Sequence, residues 1–357
     1  MYIRKKLFLA LSSGLFLAGI ASSCARSNDE LRFELKIDHD ANSVLDSYRD
    51  KLTELVSNKL NKKIKININV ISDGNTIIDN IKANLTDFAF VSSSALRNTD
   101  SNEVLPKIQT LTRAFKYDNQ ELAYGQELNK VSEQVNNLFN EIPYQQWTDD
   151  NRMWDGNKYR YFYDTSDSLV KYYRGMILIG GDVDTLTKIK KAWNDKNWEE
   201  FASYGIGGGN TTSNGKYLYQ LNLLKKHFQK TDLTINNYQI IKGREIGLNK
   251  DVHIVFDDMN SFAWTQNNNK QVPSFTWDKN DNNSKVEVLS LTNPALYDIG
   301  VFNKKLDKEI VNAISESIIE LSNQNKDEYG KTVGYNHYKL INDPEKEVFE
   351  FMDLSKN

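Results

Sequence analysis

Asp87-Phe-Ala-Phe-Val91-Ser92-Ser93-Ser94-Ala95 is the stretch on which the fold turns. Phe88–Val91 has no polar residue, which suits a strand covered on both faces. The serines close that strand, and Ala95 reads as a helix start. Upstream, Leu31–Ile37 alternates apolar and polar residues, as a half-buried strand does. Ser43 and Asp46 resemble a helix-start signal, and Val44, Leu45, Tyr48, Leu52, Leu55, Val56 and Leu60 follow at helical spacing. Ile64, Ile66, Ile68 and Val70 alternate again; Gly74 breaks the strand, and a short helix fits Thr76–Ala83. Strand, helix, strand, helix, strand is the unit of an open α/β sheet.

Ligands of such sheets lie beyond the C-terminal ends of the strands. Ser92, Ser93 and Ser94 stand at that end, where hydroxyls and backbone N–H groups can cradle an anion or serve as simple caps. A second unit starts at Tyr172-Tyr173-Arg174-Gly175-Met-Ile-Leu-Ile179, with a helix over Asp184–Trp193 and a strand expected over Phe201–Ile206. Gly207–Gly215 then carries Asn210, Thr211, Thr212, Ser213 and Asn214 ahead of a helix near Lys216–Phe228. This is not a Walker A loop, because the glycine spacing is one too long and Tyr217 follows Lys216 where Ser or Thr holds magnesium. An oxyanion loop and a plain linker both fit. Strands are expected at Asp251–Phe256, Ser261–Thr265 and Val286–Leu291, the last returning the chain to the first lobe. Ile310–Leu321 and Pro344–Leu354 read as closing helices.

The chemistry of catalysis is absent. His39, His227, His253 and His337 show no metal-ligand spacing, and there is no Gly-x-Ser-x-Gly elbow. The acidic pairs Asp38/Asp40, Asp149/Asp150 and Asp257/Asp258 fit loops or caps, with calcium as the alternative. The reading is a protein that holds something, with no enzyme activity, no catalytic cofactor and no metal. At the N-terminus Arg4, Lys5 and Lys6 precede apolar Leu7–Ala21, and the sole cysteine of the 357 residues, Cys24, follows Ala21-Ser22-Ser23. This is a signal peptide ending at a lipid-accepting cysteine, or a plain signal that leaves a free thiol. Without residues 1–23 the chain keeps 42 basic and 48 acidic side chains, a net charge of −6 rather than −3. That balance gives no reason to expect nucleic acid. The address is the outer face of the cell membrane, held by lipid.

Several long strings carry a resemblance. Tyr144-Gln-Gln-Trp147-Thr148-Asp149, Trp154-Asp155-Gly156-Asn157, Tyr173-Arg174-Gly175-Met176-Ile177 and Lys188-Ile-Lys-Lys-Ala-Trp-Asn-Asp195 closely resemble the mycoplasma extracytoplasmic thiamine-binding lipoprotein family. Ser261-Phe-Ala-Trp-Thr265, Thr292-Asn293-Pro294, Tyr297-Asp298, Gly300-Val-Phe302 and Tyr335-Asn336 continue it. The resemblance implies the substrate-binding component of an ABC importer, with its permease and ATPase subunits as partners. It also implies a two-lobed type 2 periplasmic-binding-protein fold with two crossover strands, and thiamine pyrophosphate or thiamine as ligand. Ser93 and Ser213 match serines of the family, the second more loosely. On this reading residues 1–23 are signal, 24–30 tether, 31–120 and 286–357 the first lobe, and 121–285 the second. A pyrophosphate would take hydrogen bonds from Ser92–Ser94 and Thr211–Asn214. Trp147, Trp154, Trp264 and Tyr297 are candidates for an aromatic wall, each equally suited to a core. Asp298 would face the cationic ring or act as a cap, and Arg174 would touch phosphate or brace the hinge. A receptor for another organic phosphate or phosphonate, and a surface adhesin, are the alternatives.

Overall fold

In a computed structural model the described residues are 29–37, 42–71, 73–122, 125–141, 163–259 and 283–353. The chain runs β1 (Glu30–Leu35), α1 (Asn42–Leu60), β2 (Lys65–Val70), α2 (Gly74–Lys82), β3 (Phe88–Val91) and β4 (Val104–Arg113). It continues with α3 (Gln126–Glu141), β5 (Leu169–Val170), β6 (Tyr172–Asp182), α4 (Val183–Asn194), α5 (Trp198–Ser203) and β7 (Ile206–Gly208). Then come α6 (Tyr219–His227), β8 (Gln239–Ile240), β9 (Ile254–Asp258), β10 (Ser284–Leu296), β11 (Ile299–Asn303), α7 (Lys308–Asn323), α8 (Glu328–Val333) and β12 (His337–Leu340).

These strands form two sheets, one per lobe. The first has the order β12-β4-β11-β3-β1-β2 with β5 on β4, and the second β10-β6-β9-β7-β8. β1 is parallel to β2 and β3, and β7 is parallel to β8 and β9. In each sheet a strand arriving from the other lobe wedges in antiparallel beside this trio: β11 against β3 and β4, β6 against β9 and β10. The two lobes therefore share one strand order, joined by two crossovers, β4 to β6 and β10 to β11.

Both mixed sheets are covered on two faces, as the parallel strands in them require. In lobe I, Tyr48, Leu52 and Val56 of α1 and Ile310, Ile314 and Ile318 of α7 share a core with Phe33, Phe88 and Phe302. Ile77, Ile78 and Ile81 of α2 close the other face over Ala89, Val91 and Val301. In lobe II, Leu186, Ile189 and Trp193 of α4, Phe201 of α5 and Leu224 of α6 pack on Ile177, Ile179, Ile254 and Phe256. Leu128, Val131 and Val135 of α3 cover Met176, Leu178 and Val255 behind them.

Three expectations change. The strand expected over Phe201–Ile206 is α5 followed by β7, because Asn197 caps a helix there: its Oδ1 accepts from the Glu200 N–H at 3.2 Å. The helix expected from Ala95 is a single tight turn, Ser93–Leu96, so no helix dipole points from it. The boundary expected at 286 falls inside β10, which pairs with β6 from Ser284 to Leu296. The lobes change hands at Tyr297-Asp298, between β10 and β11. The strand expected at Ser261–Thr265 lies outside the described residues.

Candidate ligand-binding cleft

The C-terminal ends of β3, β7 and β9 face each other across the gap between the lobes, and the expected loops meet there. Ser93 is buried; its hydroxyl donates to the Leu296 carbonyl at 2.7 Å and accepts from Asn214 Nδ2 at 3.0 Å. Lobe I thus touches lobe II through one of the sequence-selected serines. Ser92 and Ser94 share a hydroxyl–hydroxyl bond of 2.8 Å at the more exposed rim. In the facing loop Asn210 Oδ1 accepts from both the N–H and the hydroxyl of Thr212, and its carbonyl accepts from the Ser213 N–H. Thr211 and Thr212 are exposed and Ser213 half-buried. The loop is held by a wide turn, Asn214–Leu218, in which the Leu218 N–H donates to the Ser213 carbonyl at 3.0 Å before α6 begins.

The opposite wall is aromatic and acidic. Tyr173 and Tyr297 lie with ring centroids 5.2 Å apart. Asp258, Tyr219, Asp298 and Tyr297 all surround the Tyr173 hydroxyl, whose pKa burial and these neighbours push upward. Asp298 Oδ2 accepts from the Tyr335 hydroxyl at 2.6 Å; burial raises its carboxyl, against the pull of Tyr335 and Lys36. Asp258 ends β9. Burial pushes its carboxyl up to about 6, Lys216 pulls it down, and Asp257 pushes it further up. Lys216 Nζ lies 3.4 Å from Asp258 and 3.5 Å from Asp257, whose Oδ2 also accepts from the Gly243 N–H. Burial works against the Lys216 ammonium, yet the two carboxylates outweigh it and raise its pKa. Gly215 binds the two walls together, since a Cβ there would fall 2.2 Å from Asp258 Oδ1 and 2.5 Å from the Tyr173 ring.

Arg174 is a brace. It is fully buried, its Nε lies 2.9 Å from both Asp118 oxygens, and Nη1 and Nη2 donate to the carbonyls of Leu122, Thr292 and Gln120. Four of its five N–H donors tie both crossovers together in a fully buried setting, which suits the hinge role of the two expected for it. Trp147, Trp154, Trp264 and Cys24 lie outside the described residues. Among those described, no cluster of three or more acidic, histidine or cysteine side chains could hold a metal. The sequence reading misses Tyr173 and Tyr219 as wall residues and takes Asp258 for a loop acid. Its position at the C-terminal end of a lobe II strand, matching Ser92 in lobe I, is the signal that could have found it.

A family described as extracytoplasmic thiamine-binding lipoprotein matches residues 41–356. The chain belongs to this family. As a thiamine-binding lipoprotein by family, it is 37% identical over 374 residues to the high affinity transport system protein p37 of Mycoplasma pneumoniae, with 98% of each chain covered. It is also 37% identical over 261 residues to the p37 protein of Mesomycoplasma hyorhinis, covering 69% of this chain and 64% of that one. A solved structure of Mycoplasma hyorhinis Mh-p37, described with it as a proposed thiamine pyrophosphate transporter, superposes with a TM-score of 0.81 at 30% identity. That match covers 90% of this chain and 97% of the other. The fold is the two-lobed type 2 periplasmic-binding-protein fold. This thiamine-binding lipoprotein family member is a p37-type extracytoplasmic substrate-binding component of a transport system, and no enzyme.

Proposed function

We propose that the protein binds thiamine pyrophosphate or thiamine between its lobes and delivers it to an ABC permease with its ATPase subunits. The observation that carries this reading is the two-ended chemistry of the cleft. Hydroxyl and amide groups at 92–94 and 210–214 suit an anion, while Asp258 and Asp298 flank the Tyr173–Tyr297 pair and suit a flat cation. Thiamine pyrophosphate has a cationic ring system at one end and a diphosphate at the other, so it can engage both. A ring cation against tyrosine faces gains about 0.5–2 kcal/mol, and charge-assisted bonds to phosphate are about twice as strong as neutral ones. A ligand held by both lobes favours the closed arrangement by its differential affinity, which is the signal a permease can read. Lipid on Cys24 would keep the receptor beside that permease.

Calorimetry with thiamine, its monophosphate, its diphosphate and methylphosphonate tests the reading. Binding of at least one thiamine compound more tightly than methylphosphonate is expected. Binding of methylphosphonate alone would move the protein to the organic-phosphate receptors, and binding of none would end the proposal.

A further inference from the structure

One cation of the cleft is not singled out by the sequence reading. Arg97 follows the Ser93–Leu96 turn of lobe I, is half-buried, and donates from Nε to Asn214 Oδ1 of lobe II at 2.9 Å. Its guanidinium lies 5.2 Å from the ring centroid of Tyr219. Arg97 Nη2 and the hydroxyl of Tyr219, a residue only 2% exposed, are buried beside each other with no hydrogen bond of full geometry, and the guanidinium works against the rise that burial gives the tyrosine pKa. Among the described residues no carboxylate comes within salt-bridge distance of Arg97. A buried donor on a charged group is costly to leave poorly paired, and the loose Arg97–Tyr219 contact leaves both groups able to turn to an acceptor from outside the chain.

The direction of approach follows from the surroundings. Arg97 also lines a cavity of about 450 Å³ together with Glu345, Glu350 and Asp353. Carboxylates there repel an anion, so the approach favoured by charge is from the Ser93–Asn214 contact between the lobes, toward which Arg97 Nε already points. The Ser93 hydroxyl is engaged with Leu296 and Asn214 and makes no bond to Nη2. A phosphate oxygen can accept from the guanidinium fork and from the tyrosine hydroxyl together.

We propose that Arg97 and Tyr219 form a phosphate-reading subsite, and that Arg97 sets the preference for a phosphorylated over an unphosphorylated ligand. This deepens the reading of the cleft given above and rests on it. The serine and threonine hydroxyls are neutral, so they accept phosphate and alcohol groups with little distinction; a fixed positive charge separates the two.

The test is titration of the full chain and of Arg97→Met, Arg97→Lys and Tyr219→Phe with inorganic pyrophosphate, thiamine and thiamine pyrophosphate. Arg97→Met is expected to weaken both phosphate compounds by about tenfold or more and thiamine by less than about twofold, with Arg97→Lys in between. Tyr219→Phe is expected to weaken the phosphates about threefold or more while its melting temperature stays close to that of the parent, because only a loosely paired hydroxyl is gone. Equal losses for thiamine and thiamine pyrophosphate would overturn the proposal, as would undiminished binding of both phosphates in the Arg97 variants. If Arg97→Met does not fold, Tyr219→Phe and Arg97→Lys decide by the same comparison. If the parent binds inorganic pyrophosphate but no thiamine compound, the ligand assignment falls, and loss of pyrophosphate binding in the Arg97 variants still upholds the subsite.

Discussion

Asp258 shows how a single residue can couple ligand and proton. Its folded pKa, about 6, lies above the ordinary 3.8 because burial disfavours the charge more than Lys216 restores it. The folded protein therefore takes up a proton between these two values. The stabilisation this gives is complete below pH 3.8 and is lost as pH rises through about 6; above that, the ionised carboxylate costs on the order of 3 kcal/mol. Asp258→Asn is expected to be the more stable protein at pH 7.5, with the advantage shrinking toward pH 5, as denaturant titrations at the two pH values would show. Thiamine affinity should fall below about pH 6 in the parent and stay flat in the variant. Parallel profiles for the two proteins would mean that Asp258 neither titrates there nor meets the ligand. Arg174 teaches the complementary lesson: a short string such as Tyr173-Arg174-Gly175 can serve the hinge at one residue and the cleft wall at its neighbour. Side-chain direction, which alternates along a strand, decides between them.

At the scale of the element, local chemistry explains both what was legible and what was not. The alternating runs in β1 and β2 and the helical spacing of α1, α4 and α7 are visible in the sequence because a buried face repeats along each element, while β6 shows as an apolar run because it is buried on both faces. β4 is passed over because Pro106 interrupts it. In the structure the β4–β11 register shifts between Val301, opposite Pro106, and Gly300, opposite Ile108, and β12 pairs only with Ile108–Leu111, so the missing N–H falls where a ladder bond is not needed. Around α5 the apolar Phe201 and Ile206 suggested one strand, whereas Asn197 with Glu199 and Glu200 in the first turn specify a helix start. Asn197→Ala is expected to lower stability by about 1 kcal/mol, measured by chemical denaturation; an unchanged midpoint would show that packing of Trp198 and Phe201 alone holds α5. Among the site residues, Ser93 and Asn214 were readable from their place after β3 and β7. Arg97 was not, because its meaning lies in a contact with a residue of the other lobe that no local pattern encodes.

For the whole molecule, the strand order is the same in both lobes although no repeat is visible in the sequence. The constraint shared by the lobes is geometric, three parallel strands and one wedged antiparallel neighbour, and many side-chain sets satisfy it. The proposed anchor is also a property of the whole chain. Cys24→Ser is expected to move the protein from the membrane fraction to the medium while leaving ligand affinity unchanged; unchanged partition would mean that something other than lipid on Cys24 retains it.

The wedged strand of lobe I has a consequence for how the chain acquires its structure. Val91 pairs with Ile299 and Phe88 with Phe302, so the first sheet waits for residues that emerge only after the whole of the second sheet, β6 to β10, has appeared. The second sheet draws its five strands from one unbroken stretch. During export, with the N-terminus leading, the later half can therefore condense on its own while β1 to β3 stay unfinished, and long-range pairings of this kind are slow to close. The order of synthesis and the order of completion run in opposite directions, and the half nearest the N-terminus would be the last to lock.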